Sequence, residues 1–406
     1  MKRIIICILA ILSLSIVANA QPWLFPGKKK AKKDTTTKVV VKDSVALPTI
    51  NDTSILSLGD SSLVADIFVR DIPQIINVSI LLPVSSNGRA SGNFFIDYYS
   101  GALLAARELG MLGVKMNVNI YDTDDFASSV DDEIISTSDV IIGPVKCQEI
   151  AQLASRHPDK YIISPIEPKA ESLIDSLNLI QAPSSWMRQT EDMVKWLHED
   201  KMPEDRIVVI QEDYPSGVSE KRAYLMDCLN RLGLNYIVVQ QSKLSDLNNL
   251  GTIRCVLSDG PNDFICKTIN SLSTLSEKKN IVLYSTSAVR SLNGINATSL
   301  FMCRTRMTAA YHIDYDSNET MQFIRDYRAL FRNEPSSFAY SGYDTMLYFV
   351  NMCRNHGRQW HKKLHEEKWR GLQTDFMFEE RTSQKGNVNI AVRRLIYNQD
   401  LKITLL

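Results

Sequence analysis

The side chains best placed to do chemistry in this sequence are hydroxyl, carboxylate and cationic residues that follow short apolar runs. Ser85, Ser86 and Arg89 follow the run at 78–83, Asp122 and Thr123 follow 118–121, Lys146 follows 139–142 and a Gly-Pro turn, and Ser164 closes 160–164. The pattern then repeats. Asp213, Tyr214 and Ser216 follow 206–210, Asp259 follows 253–257, and Ser285 follows 281–284. These groups suit recognition more than bond making. Hydroxyls and loop amides meet a polar solute, Arg89 offers a planar cation to a carboxylate and Lys146 a point cation, and Tyr214 can cover an apolar portion while its hydroxyl meets a polar one. Asp122 and Thr123 suit a donor-bearing ligand or simply cap a turn.

Catalytic alternatives find little support. Ser, His and Asp are all present, but no GxSxG elbow accompanies them and no histidine sits at a strand end. His361 and His365 are four apart, yet Lys362, Lys363 and Glu366 around them fit an exposed charged helix better than a metal site, so no metal is expected. Neither a GxGxxG turn nor a GKS or GKT phosphate loop occurs, so no nucleotide or other cofactor is expected.

Positioning such residues requires alternating strands and helices. The strand at 78–83 precedes a helical face made by Phe95, Tyr98, Tyr99, Ala102, Leu103, Ala106 and Leu109, with Gly110 near its end. Further strands are predicted at 118–121, 139–142, 160–164 and 179–182, with Ser184 or Ser185 capping the next helix. From Asp205 the grammar restarts with strands at 206–210, 236–240, 253–257 and 281–284. Beyond Met307 it turns strongly helical, through Met321, Phe323, Ile324, Tyr327 and Phe331 and then 340–352. Stretches at 376–378 and 388–403 can return as strands. The fold class is therefore α/β, with two similar Rossmann-like lobes of mostly parallel strands. The expected organisation is a first lobe from 74 to 183, a second from 184 to 307, a return to the first at 308–357, and a C-terminal segment, 358–406, packing on the second lobe. Repeated hinge crossings favour restricted opening and closing.

The first twenty residues read as a secretory signal. Lys2 and Arg3 precede an apolar run at 4–17, and Ala18-Asn19-Ala20 supplies a small-x-small cleavage site before Gln21. That run is shorter than the roughly 17–25 residues that cross a bilayer, and no later segment looks membrane-spanning. Cys7 lacks the small residues that precede an acylated cysteine. Residues 21–73, with Lys28, Lys29, Lys30, Lys32 and Lys33 followed by Ser, Thr and Asp, read as a flexible tether. A periplasmic location follows. The whole chain has 46 basic and 46 acidic residues; without Lys2 and Arg3, 44 face 46, a formal charge of minus 2. That balance gives no electrostatic case for nucleic acid. Beyond Cys7, cysteines stand at 147, 228, 255, 266, 303 and 353 with no CxxC, mostly inside apolar patterns that suit buried thiols; a disulfide from Cys255 to Cys266 or Cys228 is the pairing left open.

Five stretches, VSILLPVSS (78–86), DYYSGALLAAREL (97–109), IYDT (120–123), DVIIGPV (139–145) and YSGYD (340–344), run in an order similar to that of the type I periplasmic solute-binding proteins, the branched-chain amino-acid-binding family. The resemblance spans most of residues 76–356. It implies an exported two-lobed receptor that closes on a small polar solute and passes it to a membrane transporter, with contacts from 85–89 and 143–146. It also implies that Ser86 and Arg89 of one lobe approach the same cleft as Asp213 or Ser216 of the other. Where that family has small hydroxyl residues after the Gly-Pro turn, this chain has Val145 and Lys146. This departure, the tether and the basic-aromatic stretch 358–370 keep a second expectation open, an envelope regulatory or protein-interaction module on the same fold.

Overall fold

The computed structural model describes residues 71–406, apart from short stretches at 86–89, 127–129, 167, 215–216, 248–250, 258–259 and 381–384. The expected signal peptide and nearly all of the expected tether lie outside the described residues. No helix among the described residues is long and apolar enough to cross a membrane.

The apolar runs build two sheets. The first contains β1 (Ile76–Leu82), β2 (Met116–Asp122), β3 (Val140–Ile142), β4 (Ile162–Ser164), β5 (Leu179–Gln181) and, from much later in the chain, β11 (Asn387–Val388), in the order β11-β5-β4-β3-β1-β2 and parallel throughout. The second contains β6 (Arg206–Gln211), β7 (Tyr236–Gln240), β8 (Ile253–Leu257), β9 (Ile281–Thr286), β10 (Arg306–Ala309), β12 (Arg393–Tyr397) and β13 (Ile403–Leu405), ordered β13-β12-β10-β9-β8-β6-β7. Its first five strands are parallel and the last two antiparallel. Each sheet thus places its first strand between its second and third, the doubly wound order whose carboxyl edge holds ligands at the point of reversal. β3, β8 and β9 are buried along their whole length, as expected for parallel strands covered on both faces, whereas edge strands β2 and β7 are only partly covered.

The covering helices are α1 (Ala90–Met111), α2 (Asp132–Thr137) and α3 (Cys147–Arg156) on the first sheet, and α4 (Trp186–Asp200), α5 (Glu220–Arg231), α6 (Asn262–Ser276) and α7 (Ala297–Met302) on the second. α8 (Asn318–Phe331) and α9 (Ser337–His356) return to the first. Hydroxyl and carboxylate caps start several of them: Asp131 accepts from the amides of Glu133 and Ile134, Ser185 from Arg188, Ser219 from Arg222 and Ser317 from Thr320.

α1 and α9 meet through glycine. A Cβ on Gly101 would lie 1.8 Å from the Ala339 carbonyl oxygen, and one on Gly342 would lie 1.9 Å from that of Tyr98, so no larger residue fits while the helices stay this close. Tyr98, Ala102, Ala105 and Leu109 on one helix then bury against Tyr340, Met346, Phe349 and Val350 on the other. The Tyr343 hydroxyl donates to Glu108 across the same contact.

One strand was not anticipated and one expectation needs correction. Residues 306–309, which the sequence reading assigned to no element, form a strand because Met307 and Ala309 are buried between β9 and β12. The C-terminal segment divides between the lobes. Its 3₁₀ segment Gly357–Glu366 packs on α9, with the Trp360 indole donating to the Asp139 carbonyl at 3.0 Å, and β11 joins the first sheet; only β12 and β13 reach the second. All six described cysteines are free thiols, and burial pushes those of Cys303 and Cys353 up to about 12. Trp196 is buried with its ring edge-on to Tyr284.

Two outcomes follow from this packing. Gly342→Ala forces a methyl into the Tyr98 carbonyl, and chemical unfolding is expected to register a loss of about 3 kcal/mol, the upper range for overpacking; a loss within error of zero would show that the helices can move apart freely. His361 stacks on Tyr161 at 3.8 Å, and burial, assisted by Lys362, pulls its imidazole down to about 4. A folded-state pKa below the unfolded one means this contribution is present above about 6.5 and is lost as pH falls toward 4. His361→Phe keeps a stacking ring without the proton, so urea unfolding at pH 7 and pH 4.5 is expected to show a smaller acid loss in the variant than in the parent.

Candidate functional site at the hinge

Three crossings join the lobes, at 182–185, 310–317 and 389–392, and buried polar groups bind them together. Asn389, fully buried, donates to the carbonyls of Ala182 at 2.8 Å and Asp375 at 2.7 Å and accepts from the amides of Met377 and Ala391. Arg393, 3% exposed, pairs with Asp375 at 2.6 Å and donates to the carbonyls of Gly371, Leu372 and His312. Asp344 on α9 accepts the amides of Leu372, Gln373 and Thr374, each at 2.8 Å; burial pushes its carboxyl up to about 7 against those amides and Arg393. Burial, with Arg290 and Arg393 nearby, pulls His312 down to about 4, so it is a neutral imidazole at pH 7.

These ties position a cavity of about 220 Å³. Pro165 and Ile166 enter it just beyond β4, Pro183 beyond β5, and Ala310 and Tyr311 beyond β10. Ser337, Phe338 and Ser341 come from the first turns of α9, and Gln373 and Thr374 from the loop held by Asp344. Its wall is mostly apolar. Phe94 stacks on Phe338 with ring centroids 5.0 Å apart, and Tyr311 is half exposed. Gln373 is 4% exposed, yet its Oε1 has no hydrogen-bond partner.

Eight of the twelve residues singled out from the sequence are described. Ser85 is exposed in the turn after β1. Asp122 accepts from the amides of Val84 and Asp124, fastening that turn to the end of β2, and Thr123 is buried with its hydroxyl unpartnered. Gly143 has φ +90° and precedes a cis peptide; a Cβ there would lie 2.1 Å from the Leu81 carbonyl, so its role is backbone shape. Lys146 stands at the α3 cap position and pairs with Glu149 at 2.7 Å. Ser164 is buried at the end of β4, one residue before Pro165 of the cavity. Asp213 accepts the amide and hydroxyl of Ser242 at 3.0 and 2.6 Å; the hydroxyl bond, then the amide, holds its carboxyl below the usual range. Tyr214 is 96% exposed, and Ser285 is buried and donates to the Leu257 carbonyl at 2.8 Å. Ser86, Arg89, Ser216 and Asp259 lie outside the described residues. None of the twelve is among the described residues lining the hinge cavity.

Tyr311, Phe338 and Gln373 of this cavity were not singled out from the sequence. Ser341 fell inside the recognised YSGYD stretch, whose glycine packs α1 against α9. Gln373 carries no local signal, since the contacts that place it come from α9 and the crossing segments.

No family model matches the sequence, and no curated protein sequence matches it. Solved structures do match. One titled a putative branched-chain amino acid ABC transporter from Rhodospirillum rubrum aligns over 82% of this chain and 100% of its own, with TM-score 0.57 and 13% identity. A branched-chain amino acid ABC transporter periplasmic ligand-binding protein from Burkholderia xenovorans covers 82% and 94%, with TM-score 0.54 and 10% identity. The C-domain of LpoA from Haemophilus influenzae, described as a regulator of PBP1A, covers 81% and 99%, with TM-score 0.51 and 13% identity. At such identities the similarity concerns the fold, and this chain has the two-lobed α/β fold of the type I periplasmic solute-binding proteins.

Proposed function

We propose that this chain is a noncatalytic periplasmic binding protein that holds a small polar solute between two closing lobes. One observation carries the reading: strand ends from both sheets, beyond β4 and β5 in the first and beyond β10 in the second, meet in one cavity at the hinge. A solute touching both sides binds the closed form better than the open one, which is the differential affinity needed to shift the population. Two of the structural neighbours are named as transporter components, which supports a transporter as the recipient of the solute. A second reading, an envelope regulatory module, draws on a separate observation. Phe94, which stacks on Phe338 of the cavity wall, and Tyr311, which lines the cavity, leave 43% and 49% of their surface exposed, aromatic surface that suits a protein contact, and a regulator of PBP1A shares the fold.

Small-angle scattering and calorimetry with amino acids, small peptides and wall fragments test the first reading. The expected result is binding heat with a smaller radius of gyration for at least one class. Neither heat nor compaction across the set overturns it, and a saturable envelope protein partner, confirmed with both proteins purified, would then favour the second.

A further inference from the structure

The first lobe leaves apolar surface uncovered at the amino edge of its sheet, the edge away from the cleft. Ile72 and Ile75, which lead into β1, are 47% and 46% exposed, and Met111 and Leu112, which close α1, are 71% and 63% exposed. The Ile76 amide donates to the Lys115 carbonyl at 2.9 Å, which sets the two stretches side by side. Single exposed apolar side chains are ordinary, whereas a group of them marks a surface that something covers.

We infer that this patch is the dock for the chain's own residues 61–69, folded as a short helix that lays Leu63, Val64, Ile67 and Phe68 over Ile72, Ile75, Met111 and Leu112. Three observations carry the assignment, and none depends on what the cleft binds.

The first is where the chain enters. Arg358 donates to both carboxylate oxygens of Asp71, at 3.0 and 2.8 Å, and its amide donates to the Asp71 carbonyl at 3.0 Å. Residue 69 is therefore two positions from a fixed point beside the patch. A segment held so close acts at a high effective concentration, which a free partner has to exceed from bulk solution.

The second is the pattern of the segment. Leu63, Val64, Ile67 and Phe68 stand at i, i+1, i+4 and i+5, one face of a helix, with Ser61 and Ser62 ahead of them as caps and Pro73 beyond the end. Nine helical residues span roughly 14 Å at 1.5 Å per residue, a length matched to a patch of four side chains.

The third is charge. Lys115 and Arg354 are exposed near the patch and have no ion pair among the described residues. The segment carries Asp66 toward them. Of the expected flexible tether, the last residues thus belong to the folded lobe.

Hydrogen exchange on the purified full chain, read by mass spectrometry, tests this. Amides of 61–69 are expected to exchange at least tenfold more slowly than those of 38–50. Met111→Asp with Leu112→Asp alters only exposed positions, so exchange in α9 is expected to stay as in the parent while 61–69 rises to the rate of 38–50. Ile67→Asp, made on the segment itself, is expected to give the same rise. Exchange of 61–69 as fast as that of 38–50 in the parent overturns the assignment, and so does slow exchange that neither variant changes. Protection of 111–115 that grows with protein concentration, together with a dimer mass by light scattering, would show that a second copy covers the patch and would overturn it as well.

Discussion

The close approach of α1 to α9 is the constraint on which the rest of this architecture depends. Two helices with β6–β10, most of the second lobe, between them in sequence touch backbone to backbone at Gly101 and Gly342. That contact seals one face of the first sheet with a dense aromatic and aliphatic layer and fixes where α9 begins. Since α9 also carries Asp344, it sets the position of the 371–374 loop as well. A shift of the helix pair would therefore move Ser337, Phe338, Ser341 and Gln373 together. Packing in the first lobe and geometry at the hinge are one problem, solved by two missing side chains.

The hinge is polar where most of the core is apolar, and its polar groups are arranged to bind chain to chain. Asn389 and Arg393 each reach more than one crossing or its neighbouring loop, so the three segments behave as a bound sheaf. Removing one partner from such a network leaves others buried and unpaired, which costs more than any single bond contributes. The crossings are thereby tied to one another, in contrast to domains joined by a free linker.

Much of the framework was legible because buried parallel strands are short apolar runs, as at 78–82, 207–210 and 253–257, and because the α1 face repeats at helical spacing. β10 was not: Arg306, Met307, Thr308 and Ala309 have no conspicuous strand signature, and their pairing with β9 and β12 decides their state. The division of the C-terminal segment was equally hidden, being a matter of distant partners. At the site, strand-end positions were readable but the uses of their side chains were not. Asp213 and Asp122 look like ligand groups in sequence, and each also uses its Oδ1 to fasten a neighbouring turn or loop. Tertiary hydrogen bonds leave no local mark, which is why Gln373 could be found only in three dimensions.

The interleaving of the lobes bears on the order in which they can be completed during synthesis. The first sheet's five leading strands and α1 leave the ribosome early, but the helix that covers Gly101 follows only after the whole β6–β10 region. The second sheet in turn waits for β12, the strand bearing Arg393, beside β10. Until those late segments emerge, the nascent chain carries two apolar surfaces without their covers, the condition under which partly made proteins aggregate or need escorts.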